Sequence, residues 1–308
     1  MLYAGIAGLI LLILLVLMIG ISSYLVVRAM KTMHHHSLED SRAWQEHHYD
    51  LSWYDSMEKT DYTVACPDGY VLNAQFLPNP VLTDRYVLIS HGFTDNRYGA
   101  LKYAPIYLGS GFNVIIYDLR GHGVNRPAIT TFTVREREDL YTMILDSRRR
   151  YPDMKVLGLH GESMGAGTTI AVLEKKPPVD FAVADCGFTD MVPVFEVAIK
   201  SYHLPVFMVK VASVCARAIY GISFRRMRPV ESLKENRIPV LFIHGACDEL
   251  VPPEHSRQMS KVTQGYSEVH LIPNAGHADC VFTDPEMYRI ILTAFLRKIV
   301  PDPAHAAG

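Results

Sequence analysis

Residues 155–171 read Lys-Val-Leu-Gly-Leu-His-Gly-Glu-Ser-Met-Gly-Ala-Gly-Thr-Thr-Ile-Ala: an apolar run, a glycine-flanked serine and a stretch of small residues in direct succession. The apolar run 156–159 suits a buried strand, and 164–174 suits a helix. Between them lies Gly161-Glu162-Ser163-Met164-Gly165, a G-x-S-x-G pattern. Alone the pattern is weak, since about one random chain of this length in ten would contain it. At a strand-to-helix junction it carries more. The turn there is tight and lifts the serine hydroxyl clear of the sheet. Gly161 and Gly165 are needed because a side chain at either would crowd neighbouring backbone. Ser163 is therefore the candidate nucleophile, and the helix N-terminus beneath it favours developing negative charge.

A serine hydroxyl needs a base to react near neutral pH. Two later segments supply an acid and a base. Leu241-Phe242-Ile243-His244-Gly245-Ala246-Cys247-Asp248 puts Asp248 in the loop after one late strand. Leu271-Ile272-Pro273-Asn274-Ala275-Gly276-His277 puts His277 in the loop after the next. Glu249 and Asp279 are competing acids. Asp248 is favoured by its place before Val251-Pro252, where a new helix begins. The order Ser, Asp, His, each at a strand's carboxyl end, is far more specific than the serine motif. Acyl transfer also needs donors for an oxyanion. Val87-Leu88-Ile89-Ser90-His91-Gly92-Phe93 gives a strand followed by His-Gly, so the backbone N–H groups of Phe93 and Met164 are the expected pair. His91 reads as structural, because one base suffices.

Around these motifs, short apolar runs alternate with amphipathic stretches. Strands are expected at 62–65 and 70–77, around a Pro67-Asp68-Gly69 turn, and at 86–90, 113–117, 156–159, 179–184, 239–243 and 268–272. Helices are expected at 98–108, 134–151, 164–174, 253–262 and 285–299. The class is α/β, with a mainly parallel sheet covered on both faces and the site at the strands' carboxyl ends. One domain of this kind fills 61–300, with a short tail at 301–308. An apolar insertion at about 188–229 breaks the alternation and reads as one to three helices capping the sheet.

The N-terminus is a different kind of sequence. Residues 2–27 carry no charged side chain, with Tyr3 and Tyr24 near the ends, so 1–30 reads as a transmembrane anchor. A cleaved signal peptide fits less well, because no basic region precedes the apolar run. Arg28, Lys31 and Arg42 follow the span and none precedes it, which favours a cytoplasmic domain. Residues 31–60 read as a polar juxtamembrane linker. His34-His35-His36 and His47-His48 lie there without a carboxylate or cysteine pattern to complete a metal site. Net charge is -2 across 308 residues, and the Arg148-Arg149-Arg150 triplet lies at the end of the helix expected at 134–151, so nucleic acid is excluded as a partner. The five cysteines are irregularly spaced and read as free thiols.

With these motifs in view, the chain resembles the α/β-hydrolase superfamily, in particular the single-pass, membrane-anchored bacterial serine hydrolases and esterases of the Bem46-like group. The matching segments are HGFTDN (91–96), YDLRGHG (117–123), GESMGA (161–166), ADCGFTD (184–190), HGACDELVP (244–252) and NAGHAD (274–279). Asn125 departs from the pattern, where such proteins often have Ser. The resemblance implies a mostly parallel eight-stranded sheet with a helical cap, and carboxylic ester hydrolysis by Ser163, His277 and Asp248 through an acyl-enzyme, without metal or organic cofactor. Asp118 and Arg120 are expected to hold a turn. The implied substrate is a small-molecule ester, and the apolar cap suits a hydrophobic acyl chain. A peptidase or an acyltransferase would use the same triad. A non-catalytic, membrane-tethered binding module is the reading from a different class.

Overall fold

The computed structural model of the chain describes residues 2–32 and 35–300; His34 of the histidine run and the tail 301–308 lie outside the described residues. Helix α1 (Leu2–Val27) is 26 residues long, and residues 3–17 are exposed along its whole circumference. It is long and apolar enough to cross a membrane. A π-helical turn, Arg28–Thr32, leads the chain onto the domain.

The segment 31–60 differs from the expected linker. It folds into α2 (Leu38–His48) and α3 (Ser52–Ser56), both packed on the domain. Ser37 and Asp40 form a reciprocal cap that starts α2. One face of α2 then finds partners: Ser41 donates to Asp95 Oδ1 at 2.5 Å, and Gln45 is buried. Tyr54 is also buried and donates to Gln75 Oε1 at 2.7 Å. Trp44 stacks on His48 and meets Phe282 edge-on.

The expected hairpin forms between β1 (Thr60–Ala65) and β2 (Val71–Leu77), which pair antiparallel. Gly69 turns it at φ +76°, where a side chain would be strained. The other strands are β3 (Arg85–Ser90), β4 (Asn113–Tyr117), β5 (Val156–Glu162), β6 (Phe181–Asp185), β7 (Val240–Gly245) and β8 (Ser267–Ile272). Their order in the eight-stranded sheet is β1-β2-β4-β3-β5-β6-β7-β8. β2 meets β4 antiparallel, and every later pair is parallel. All residues of β4, β6 and β7 are buried. That double burial is why these runs are continuously apolar. From β3 the chain goes to one side for β4 and to the other for β5. Such a switch leaves a crevice outside the carboxyl ends of β3 and β5.

Helices α4 (Ala104–Gly109) and α5 (Glu136–Arg150) follow β3 and β4. The helix expected at 98–108 is split. Asn96 accepts the Tyr98 N–H to start a 3₁₀ turn, and Pro105 sits in the first turn of α4, where its missing N–H is tolerated. α6 (Met164–Ala171) leaves the serine turn directly. The cap consists of α7 (Met191–Ser201), α8 (Met208–Tyr220) and two short 3₁₀ turns. α9 (Glu254–Val262), α10 (Cys280–Thr283) and α11 (Pro285–Ile299) complete the chain. One apolar core, with α5, α6 and the cap, covers one face of the sheet; α4 and α11 cover the other.

Candidate active site

Ser163 joins β5 to α6 at φ +51° and ψ −111°, a conformation an L-residue holds only when its surroundings impose it. Those surroundings are backbone. The Ser163 N–H donates to Asp185 O at 2.8 Å, and its carbonyl accepts from Gly167 N at 2.9 Å. A Cβ on Gly161 would collide with the Gly165 carbonyl, and one on Gly165 with the Ser90 carbonyl. Both glycines are thus fixed by close backbone approach.

The loops after β7 and β8 bring Asp248 and His277 to this turn. Ser163 Oγ lies 2.8 Å from His277 Nε2, and His277 Nδ1 lies 2.7 Å from Asp248 Oδ2. A carboxylate oxygen only accepts, so Nδ1 carries the hydrogen and Nε2 accepts from the serine hydroxyl. Cys247 N–H donates to Ala275 O at 2.9 Å and ties the two loops together. The competing acids stand apart: Glu249 is exposed, and Asp279 is exposed and takes the Thr283 hydroxyl at 3.4 Å.

Asp248 is buried, and burial opposes its charge. Hydrogen bonds from His244 and His277, the His277 charge and the Val251 N–H outweigh that cost and hold its carboxyl well below the usual carboxylate range. Its other oxygen accepts Leu250 N at 3.0 Å and Val251 N at 2.8 Å. His244 has no counterpart in the sequence reading. Its Nε2 lies 2.7 Å from Val251 O and 3.2 Å from Asp248 Oδ2, while Nδ1 takes the Ser256 hydroxyl at 2.7 Å. The signal for it was the His-Gly that closes β7, repeating the His91-Gly92 that follows β3.

The loop after β3 backs onto the serine. A Cβ on Gly92 would lie 2.9 Å from Glu162 Oε1 and 3.8 Å from Ser163 Cβ. Among the described residues, neither the Phe93 N–H nor the Met164 N–H donates to an acceptor within the fold. His91 holds this loop. Leu119 N–H donates to its Nε2 at 2.9 Å, so Nδ1 carries the hydrogen and gives it to Gly92 O at 2.7 Å. Burial lowers its pKa to about 4, keeping the ring neutral. The chain that follows α1 braces the same loop. His36 N–H donates to Thr94 O at 2.8 Å, and the His35 ring lies against Phe93 and, at 4.0 Å, His122. His35 is therefore half-buried at the site, not a solvated linker residue.

A buried polar cluster beneath the turn was also unread. Lys102 pairs with Glu162, and the Tyr103 hydroxyl reaches Glu162 Oε2 at 2.5 Å and Asp185 Oδ2 at 3.0 Å. Lys102 also reaches Ala278 O at 3.4 Å, beside His277. Burial and the neighbouring Glu162 charge raise the Asp185 pKa to about 6. Asp118 accepts the N–H groups of Arg97 and Val124, and Arg120 pairs with Asp139 and Asp68, so both secure turns. Buried Cys186 has its thiol pushed well up by desolvation, while Cys247 is exposed.

From Phe93 a series of ring contacts runs into the cap: Phe93 to Phe132 at 5.2 Å, Phe132 to Phe195 at 5.3 Å, and Phe195 to Phe224 at 4.6 Å. A recess of about 830 Å³ lies elsewhere, lined by Lys176, Glu235 and Pro239 at the amino ends of β6 and β7, away from every group just described. No cluster of three or more His, Cys, Asp or Glu side chains is placed to hold a metal among the described residues.

The fold that carries this geometry is shared with known proteins. Residues 86–205 match the family model for the alpha/beta hydrolase fold. The uncharacterized protein YqkD of Bacillus subtilis (strain 168) is 28% identical over 247 residues, 79% of this chain and 81% of that protein. The Pyrococcus furiosus esterase Pf2001 superposes with a TM-score of 0.67 at 23% identity, covering 82% of this chain and 94% of the esterase. Est1E from Butyrivibrio proteoclasticus, solved with ferulic acid bound, superposes at 0.61 with 18% identity, over 78% of this chain and 100% of Est1E.

Proposed function

We propose that the chain, whose residues 86–205 match the model for the alpha/beta hydrolase fold, is a member of that superfamily and a serine hydrolase cleaving carboxylic esters, with Ser163 as nucleophile, His277 as general base and Asp248 as its orienting acid. The observation that supports this reading best is the continuous chain of hydrogen bonds from Ser163 Oγ through both ring nitrogens of His277 to Asp248. As Ser163 Oγ attacks the ester carbonyl, Nε2 takes its proton and later gives it to the leaving alcohol. Asp248, ionised and buried, holds the Nδ1–H tautomer and stabilises the imidazolium that forms. The N–H groups of Phe93 and Met164 receive the oxyanion, at the positive end of α6. Water then attacks the acyl-enzyme with His277 again as base.

The ring series from Phe93 into the cap suits an apolar acyl group, and the esterase Pf2001, which shares this fold, fits ester cleavage. In the same reading α1 is a single-pass membrane anchor, with 31–60 as a packed neck. The test is turnover of an aryl ester and of the matching aryl amide by the full-length protein in detergent. Ester turnover should fall roughly 10⁴- to 10⁶-fold in Ser163→Ala. Amide cleavage outpacing ester cleavage would instead make the protein a peptidase.

A further inference from the structure

α8 turns Met208, Val209, Ala212, Cys215 and Ala216 inward. Its outer side keeps Phe207 and Val214 at 55% and 69% exposure. Lys210 and Arg217 are exposed four residues before and three after Val214, so all three share that side. Single exposed apolar residues are ordinary. A patch of them flanked by basic side chains, whose stems lie along apolar surface while their heads reach outward, marks a contact surface.

What lies next to this patch decides its partner. α1 and α8 pack against one another. Val26 and Met30 join the buried cluster of α8, Met18 and Leu25 line its rim, and Ser22 is fully buried. The freely exposed part of α1, residues 3–17, is then about 22 Å long at 1.5 Å per residue. The hydrocarbon core of a bilayer is about 30 Å thick. A bilayer entered by α1 therefore extends past residue 18, to the depth where α8 lies alongside. The charge of the cap agrees. Lys200, Arg225 and Arg226 are exposed as well, and the only acid within α7 and α8 is Glu196, although the whole chain carries -2.

We propose that the outer face of the cap is a second membrane contact: Phe207 and Val214 enter the interface of the bilayer that α1 spans, and Lys210 and Arg217 bind its anionic headgroups. This rests on α1 being a membrane anchor. Docking then holds the domain flat against the membrane and does not leave it swinging on a tether.

The test uses the full chain with the exposed Cys247 replaced by Ser. A single environment-sensitive dye is placed by cysteine substitution at Val214, at Phe207, at Leu12 in α1, or at Leu82. Leu82 is fully exposed and lies before β3, at the opposite end of the sheet from the cap. Proteins are reconstituted in phosphatidylcholine vesicles with and without phosphatidylglycerol, and nitroxide-labelled lipid serves as quencher. The expected result is quenching at Leu12 in both mixtures and at Leu82 in neither. At Val214 and Phe207 quenching is strong with phosphatidylglycerol, weaker without it, and reduced by Lys210→Glu with Arg217→Glu. Dyes at Val214 and Phe207 that behave like Leu82, while Leu12 is quenched, overturn the docking and leave the anchor standing. An unquenched Leu12 overturns the anchor itself. Equal quenching at the cap in both mixtures contradicts headgroup binding. Cap dyes shielded from aqueous iodide but untouched by nitroxide lipid mean that a second copy covers this face, which also overturns the proposal.

Discussion

His244 Nε2 stands 3.2 Å from Asp248 Oδ2, the same carboxylate oxygen that receives the N–H of His277. Val251 O, 2.7 Å away, requires Nε2 to be the donor, so His244 gives one hydrogen to both acceptors. The ring is buried and packed, and it positions the acid without touching Ser163.

His244→Phe keeps the bulk and removes that donor. A hydrogen bond to a charged group contributes about 1.5–3 kcal/mol, so kcat should fall roughly 10- to 100-fold. KM should hold, because the ring does not face the substrate. A merely structural role would lower the melting temperature and the folded fraction but leave kcat per folded molecule unchanged, and that result would count against the positioning role.

Activity should decline in acid with a single proton. The Asp248 carboxyl is held far below the usual carboxylate range, so it stays ionised as pH falls into the mildly acid range. The sign is that of a depressed acid: its stabilising effect is present above the ordinary carboxylate pKa and is lost only as pH falls through the lower folded value. A plot of log kcat/KM against pH should therefore rise with a slope of about one. A slope of two would show that the acid titrates along with the base.

Asp185 predicts the opposite sign for stability. Its folded pKa lies near 6, above the ordinary 3.8. The folded state then binds more protons than the unfolded one between these values, so its contribution is fully present below pH 3.8 and is lost as pH rises through about 6. The shift corresponds to about 3 kcal/mol at neutral pH. Asp185→Asn retains an acceptor for Tyr103 and removes the charge. Denaturant melts should show the variant gaining on wild type as pH rises from 4 to 7. A constant gap across that range would mean that Asp185 does not titrate there.

The two elbow glycines can be tested by contrast with a third. Gly165→Ala places a methyl group against the Ser90 carbonyl, whereas a Cβ on Gly109 at the end of α4 meets nothing within 4 Å. Overpacking of this kind costs about 1–3 kcal/mol or more. Thermal denaturation should show a clear drop for Gly165→Ala and little change for Gly109→Ala. Equal melting temperatures would contradict the close approach of α6 to β3.

The sheet was legible because its buried strands are continuous apolar runs with turn residues at their ends, as in Asn113–Tyr117 and Val240–Gly245. Ser163, Asp248 and His277 were legible because each follows such a run, and the structure brings their side chains within hydrogen-bonding distance. What escaped the reading depends on contacts between segments far apart in sequence. Ser41 looks like a solvated polar residue until Asp95 is seen to accept its hydroxyl. Lys102 and Glu162 are 60 positions apart in the chain and form one buried pair. Nothing local to either residue announces that the other will neutralise it. His35 lay in a polar run, and only the fold presses its ring against Phe93.

The most direct test of the central claim is covalent. Full-length protein in detergent is treated with a fluorophosphonate, and the adduct is located by peptide mass spectrometry in wild type, Ser163→Ala and His277→Ala. The account predicts one adduct, on Ser163, absent from Ser163→Ala and formed far more slowly in His277→Ala. Folded wild-type protein that forms no adduct, or forms it on another residue, would contradict it.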